Sequence, residues 1–290
     1  MIKKQGGVKN WAKYNQKLKK RGSLTVFIEE GVLKKWHHGE EKVKGGNKFY
    51  SDLAIMLCLQ LRQFFKLGLR QTEGLVNSLW ALMKINMLTP DYTTLSRRMS
   101  SLKIKLPRFN QGRNTVLIID SSGLEMYEGG EWAARKRGYN RHKMWRKAHI
   151  VIDGDTQIIQ ECALTTNSVD DAEMTKCLLE NVKDTSERLI ADRGYDKSKV
   201  YDFLDTKGIK PVIKTQRNAV RNKKDSPAYK ARNKAVQSLK DETEKKKWNK
   251  ETGYSRRALV ETAFYRYKRT FGEKLLARKL KNQKIEVQLN

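Results

Sequence analysis

Long hydrophobic runs are missing from this chain. The longest, Leu53 to Leu59, falls far short of the roughly 20 apolar residues a membrane-spanning helix needs. The opening stretch MIKKQGGVKNWAKYNQKLKK has no apolar core like that of a secretion signal. A soluble, cytoplasmic protein without a membrane partner is expected. Cysteine is scarce: Cys58, Cys162 and Cys177 show neither metal-ligand spacing nor a disulfide framework, and their apolar neighbours suggest small core residues in a reducing compartment. Acid is the third shortage. Thirty-two Asp and Glu face 61 Lys and Arg among 290 residues, a formal charge of +29. Such an excess points to a polyanion, nucleic acid before an anionic membrane, because neutralising phosphates releases their counterions. An apolar content of 38% still allows a proper core in one large domain or two smaller ones.

The texture changes along the chain, and no internal repeat is present. Residues 1–50 read as a basic arm, with eight Lys and Arg and no acid among the first 21 residues. Residues 51–106 read as helical. SDLAIMLCLQLRQFF is apolar nearly all round, TEGLVNSLWALMKI repeats at three-to-four spacing, and TPDYTTLSRRMSSL offers Thr89 as an N-cap with Pro90 at the first helical position. Two helices joined by a short turn, the second displaying Arg97 and Arg98, suggest a DNA-binding helix-turn-helix, although ordinary helical packing looks the same. Beyond KLPRFNQGR the pattern becomes mixed. NTVLIID ends a β-branched run on Asp120, and KAHIVIDGDTQIIQECALT reads as two strands about a turn at 153–155. A helix from Asp170 follows, then a strand ending at Asp192, a helix stopped by Gly208, a short strand IKPVIKT and a closing helix. The fold class is therefore α/β, a mixed sheet flanked by helices and preceded by an all-helical region. Residues 207–250, with fifteen Lys and Arg against four acids, suit a loop or helix that follows a phosphate backbone.

The closing helix holds an oddity. RRALVETAFYRYKRTF places one acid, Glu261, among Arg256, Arg257, Arg266, Lys268 and Arg269. At about 100° per residue Tyr254, Arg257, Glu261 and Lys268 share an arc roughly 60° wide, opposite Leu259, Val260, Ala263, Tyr267 and Phe271. An ordinary salt bridge on a wet face is the bland reading. The alternative follows from the strands: if the first and fourth are neighbours, Asp120 and Asp192 lie side by side and Glu261 faces them. Three hard carboxylates suit Mg²⁺ or Mn²⁺, and two such ions serve phosphoryl transfer. Arg257 and Lys268 would then hold phosphates, and Tyr254 would stack on a base or bond the backbone.

The spacing Tyr254-x2-Arg257-x3-Glu261-x6-Lys268, with VLIIDSSGL, LIADRGYD and the intervening GEWAARKRGYNRHKMWRKAHI, resembles the DDE transposases of bacterial insertion sequences. The likeness runs from about Thr89 to Lys274. It implies a ribonuclease-H-like catalytic domain over 113–275 and a C-terminal tail over 276–290. It further implies two Mg²⁺ ions, replaceable by Mn²⁺, and cutting and joining of double-stranded DNA at an element's inverted repeats and its target. Asp120, Asp192 and Glu261 take the catalytic and metal-binding role by position, and Tyr254, Arg257 and Lys268 the DNA contacts. A homodimer on DNA follows, since two ends must meet, in a bacterial, nucleoid-associated setting. One departure is that the chain stops at Asn290, where relatives commonly continue into a further helical stretch, which is the mark of a shortened copy whose activity is open.

Other candidates are weaker. Asp153 and Asp155 suit a turn, Asp196 a helix cap, and His149 a structural place on an apolar strand. His37 and His38 have no zinc partners nearby. Arg135, Arg137, Arg141, Lys143 and Arg146, interleaved with Tyr139 and Trp145, suit phosphate contact and stacking. Two rival functions stand: a DNA-binding protein, repressor-like or a remnant, whose acids no longer work, and a metal-dependent nuclease that does not join strands.

Overall fold

A computed structural model describes residues 10–12, 15, 16, 19, 30–37, 49–104, 106, 115–126, 145–180, 182 and 186–290. Most of the basic arm, and the segment holding Arg135, Arg137, Tyr139, Arg141 and Lys143, lie outside the described residues. The chain divides into two units, residues 1–102 and 103–290.

The first unit is helical: α1 (Glu30–Lys34), α2 (Asp52–Phe64), α3 (Leu69–Leu82) and α4 (Tyr92–Met99). Its core gathers Trp36, Ile55, Leu59, Trp80 and Leu95, with Trp36 edge-on to Trp80 at 5.1 Å. Ser51 caps α2 by accepting the Ala54 amide. The cap of α4 is Asp91, not Thr89: its carboxylate accepts the Thr93 and Thr94 amides at 2.8 and 3.0 Å. Aspartate outranks Thr89 here because it satisfies two orphan donors at once, leaving Pro90 outside the helix. Nine residues, 83–91, separate α3 from α4, against the three or four of a helix-turn-helix, so the pair does not form that unit.

The second unit is a five-stranded sheet. It contains β1 (Thr115–Glu125), β2 (Trp145–Asp153), β3 (Ile159–Thr166), β4 (Ser186–Ala191) and β5 (Lys210–Ile213), in the order β3-β2-β1-β4-β5. The β3-β2-β1 half is antiparallel, while β4 and β5 run parallel to β1. This order and sense are those of the ribonuclease-H-like fold. The interleaved helices are α5 (Met174–Glu180), α6 (Ser198–Thr206), α7 (Pro227–Ser238), α8 (Glu242–Thr252), α9 (Ala258–Phe271) and α10 (Leu280–Leu289).

The run VLII of β1 is apolar on both sides because both faces of the sheet are covered. Val116 and Ile118 pack with Ala235, Trp248, Val260, Phe264 and Val287 from α7 to α10. Leu117 and Ile119 pack with Leu178, Leu204 and Tyr229 from α5, α6 and α7. Two glycines in the left-handed region punctuate this unit. Gly208, φ 65°, follows α6, and Gly253, φ 70°, turns the chain from α8 toward α9 through a single 3-10 turn, Tyr254–Arg257.

The segment 280–289 is a helix against β3, fastened by a buried acid. Glu286, 1% exposed, accepts the Leu276 and Ala277 amides at 2.6 and 2.8 Å. Cys58 and Cys162 are buried as expected, but Cys177 is exposed, on the outer side of α5. Adjacency to Leu178 in sequence put it on the wrong helix face. No helix among the described residues is long and apolar enough to cross a membrane.

Candidate active site

Parallel pairing positions the two aspartates. Ile118 of β1 lies opposite Ile190 of β4. Two residues further, on the same face by strand alternation, β1 reaches Asp120 and the chain leaving β4 reaches Asp192. Backbone amides fix both: Ser121 N–H donates to Asp120 Oδ1 at 2.8 Å and Gly194 N–H to Asp192 Oδ1 at 2.7 Å.

Helix α9 brings the third acid. Val260 and Phe264 bury its apolar face, which turns Arg257 and Glu261 the other way. Arg257 donates through Nη1 to Asp120 Oδ2 at 2.9 Å and through Nη2 to Glu261 Oε1. Burial pushes the Asp120 carboxyl up to about 6; Asp192 and Glu261 push it the same way, against the Ser121 hydrogen bond and the Arg257 charge. Asp120 thus feels both other acids, and their mutual repulsion is the unfavourable term a cation offsets.

The acids meet through a guanidinium. Among the described residues no three His, Cys, Asp or Glu side chains group to hold a metal ion; Arg257 stands between Asp120 and Glu261 as their counter-charge. The donor chemistry nevertheless fits a divalent cation: hard carboxylate oxygens, two of them on amide-braced aspartates. For a cation to bridge Asp120 and Glu261, Arg257 would have to yield.

The remaining cations of the closing helix divide by task. Arg256 pairs with Asp155 at 2.5 Å, and Arg266 Nη1 donates to Gln157 Oε1 at 2.9 Å, clipping the helix to the β2–β3 turn. Gly154 leaves room for that pairing: an added Cβ would meet Arg256 Nη2 at 2.8 Å and Val116 O at 3.1 Å. Asp153 braces the same turn, accepting the Asp155 and Thr156 amides at 2.7 and 3.2 Å. Lys268 lies 3.9 Å from Glu273.

Tyr254 is 7% exposed, with Lys214 Nζ 4.6 Å from its ring centre and Trp248 beside it at 5.4 Å. Its ring supports neighbours and is closed to a base. Arg97 is exposed on α4, whereas Arg98 is drawn inward to Asp52 at 2.6 Å and to the Tyr50 carbonyl at 2.8 Å. The α2 N-terminal acid thus claims Arg98 and draws it away from the groove-facing place expected of it. Arg146 on β2 donates to Gln283 of α10 at 3.2 Å.

The sequence reading missed one arrangement. Asp196 does not cap α6, whose N-cap is Lys197. Its carboxylate accepts Arg232 Nε at 2.7 Å, Arg232 Nη2 at 3.3 Å, Tyr201 OH at 3.0 Å and the Gln216 amide at 2.8 Å. This pair ties α7 to the 192–196 loop that carries Asp192. Four-residue spacing from Asp192 hinted at the acid; nothing nearby announced Arg232.

His149 lies fully buried on β2, its Nε2 2.8 Å from Thr165 Oγ1 and its Nδ1 3.8 Å from Asp171. Burial depresses its pKa to about 4, with Lys147 adding to the effect and Asp171 opposing it. A folded pKa below the unfolded 6.5 means stability is full above pH 6.5 and is lost as pH falls toward 4. Between pH 7 and 4 the unfolding free energy of the unaltered chain should drop by on the order of 3 kcal/mol more than that of His149→Gln, followed by urea denaturation. Equal drops in both would refute this origin.

Two family models, each described as a transposase DDE domain, match this sequence, one over residues 19–129 and the other over residues 111–290. The second alone spans more than half of the chain. The chain belongs to the transposase DDE domain family. Members of this family generally use divalent metal ions, in keeping with the donor chemistry at Asp120 and Asp192. Among solved structures, one chain of the Drosophila P element transposase strand transfer complex resembles it at 14% identity and a TM-score of 0.34. The match covers 70% of this DDE chain and 48% of that one, so this chain spans about half the length of its neighbour.

Proposed function

We propose that this chain is a DNA transposase that cuts and joins DNA at the inverted repeats of a bacterial insertion sequence by two-metal phosphoryl transfer. The observation that carries the reading is the register that sets Asp120 and Asp192 on adjacent strands, with Glu261 linked to Asp120 through Arg257.

Asp120, Asp192 and Glu261 would hold two Mg²⁺ ions, or Mn²⁺. Bound there, such ions lower the pKa of an attacking water or 3′-hydroxyl and stabilise the leaving oxygen. The chain does the rest. Arg257, freed from the acids, and Lys268 on the same helix hold phosphate oxygens. The amides of Ser121 and Gly194 keep the aspartates aimed, and the Asp196–Arg232 pair keeps the loop behind Asp192 in place. Arg135, Arg137, Arg141, Lys143 and Arg146 extend the contact along double-stranded DNA, Arg97 of the first unit makes a DNA contact of its own, and a homodimer brings two ends together in the bacterial nucleoid.

The pairing of Arg257 with both Asp120 and Glu261 favours a second reading, a DNA-binding protein whose acids are silenced. Purified protein with Mg²⁺ or Mn²⁺ on the DNA bordering its gene separates the two. Cleaved and joined products support transposition. Broken ends alone mean a nuclease, and binding without products means the silenced form.

A further inference from the structure

A second group of charges lies one strand away from the acids. Ala191, the last residue of β4, pairs with Ile213, the last residue of β5. The next residues are Asp192 and Lys214, so the lysine leaves the sheet beside the second aspartate. Two contacts hold it and its neighbour there. Lys214 Nζ sits 4.6 Å from the centre of the Tyr254 ring, three residues before Arg257. Arg193, the residue after Asp192, donates through Nε to the Thr215 carbonyl at 3.0 Å. Lys245 approaches from α8, its own partner being Glu242 at 2.5 Å.

Four cations from separate elements thus converge on partly buried ground, where solvent screens them poorly. Burial lowers the Lys214 pKa; Lys245, Arg257 and Arg193 lower it further, and Glu242 opposes them. Lys245 is paired with Glu242, but Lys214 rests on a ring and Arg193 on a backbone carbonyl, and neighbouring positive charges held by uncharged groups suit an incoming anion. Arg257 is occupied by two carboxylates, which leaves Lys214 and Arg193 as the presenting pair.

We infer that Lys214, with Arg193, is a binding site for a DNA backbone phosphate, flanking the position opposite Asp120 and Asp192. This deepens the proposed function and rests on it for the identity of the ligand. The role of Tyr254 follows: its ring is the platform that positions the ammonium. Gripping a flanking phosphate fixes the strand so that the reacting one is presented to the acids, which is the positional part of catalysis.

The test uses the full chain and a short DNA duplex of arbitrary sequence, with EDTA present, by fluorescence anisotropy over a salt series. Lys214→Glu is compared with Lys210→Glu, which makes the same charge change at the exposed, opposite end of β5. Lys214→Glu is expected to bind about tenfold more weakly than Lys210→Glu, with a salt slope shallower by about one. Lys214→Gln, which removes charge without reversing it, should lie between, and Lys214→Arg should bind as the unaltered chain does. Equal affinity and slope in Lys214→Glu and Lys210→Glu would overturn the site, as would wild-type binding by Lys214→Gln. Because no chemistry occurs in EDTA, a chain that grips through Lys214 but never cuts loses the proposed function and keeps this site. A chain that cuts yet ignores Lys214 does the reverse.

Discussion

Glu261→Gln is expected to slow strand cleavage by about 10³-fold or more, while leaving DNA binding within about twofold. The amide keeps the volume and the link to Arg257 but removes an anionic cation ligand. Stabilisation of transition-state charge by a bound metal amounts to several kcal/mol, and about 4 kcal/mol corresponds to about 10³ in rate. Stability should hardly change. The Glu261 side chain is 56% exposed, and an exposed ion pair contributes at most about 1 kcal/mol. Binding should hold or tighten slightly, since one negative charge leaves a surface meant for phosphates. Cleavage time courses with Mg²⁺ beside anisotropy titrations decide the matter. Cleavage within tenfold of the unaltered chain would remove Glu261 from the catalytic set and return it to an ordinary surface salt bridge.

The second large effect lies behind the acids. Asp196→Ala should cost about 3–5 kcal/mol of unfolding free energy, because removing one member of a buried pair strands the other charge. The Asp196 side chain is 1% exposed and that of Arg232 15%, so Arg232 would remain in low dielectric with its partner gone. The Tyr201 hydroxyl and the Gln216 amide lose their acceptor as well. Arg232→Ala should cost a similar amount, and the double variant much less than the sum, since both singles break the same pair. Urea denaturation of the three variants gives the coupling. A loss below about 1 kcal/mol for Asp196→Ala would mean water replaces the pair easily. The loop carrying Asp192 is tied to α7 through this carboxylate. A folded fraction of Asp196→Ala should therefore also cleave poorly.

Much of this was legible in advance because it is local and periodic. The apolar run before Asp120 and the alternation from Lys147 to Thr165 marked strands, and Gly208 marked a helix end. The opposed faces of α9 were readable from a repeat of 3.6 residues: Val260 and Phe264 are buried while Glu261 is exposed. What failed did so where several local choices compete or where a partner is far away in sequence. Thr89 and Asp91 are both acceptable caps, and Asp91 prevails by accepting two amides at once. Cys177 lies beside apolar residues, yet a helix turns adjacent side chains by about 100°. Asp196 sits where a cap belongs, but a stronger partner waits 36 residues away. Arg98 turns to Asp52 for the same reason, 46 residues away.

By itself the sequence determined the strands and helices, the strong positive charge and the three acids that deserved pairing, since these follow from residue type and short-range period. Only the tertiary structure decided that β4 lies against β1, which is what makes Asp120 and Asp192 neighbours. It also put Arg257 between two acids, Arg232 behind a third and Lys214 on the ring of Tyr254. Apart from Arg257 with Glu261, four residues on, these contacts join residues separated by tens to more than a hundred positions. Their energies depend on burial and distance in space, and no spacing along the chain encodes either.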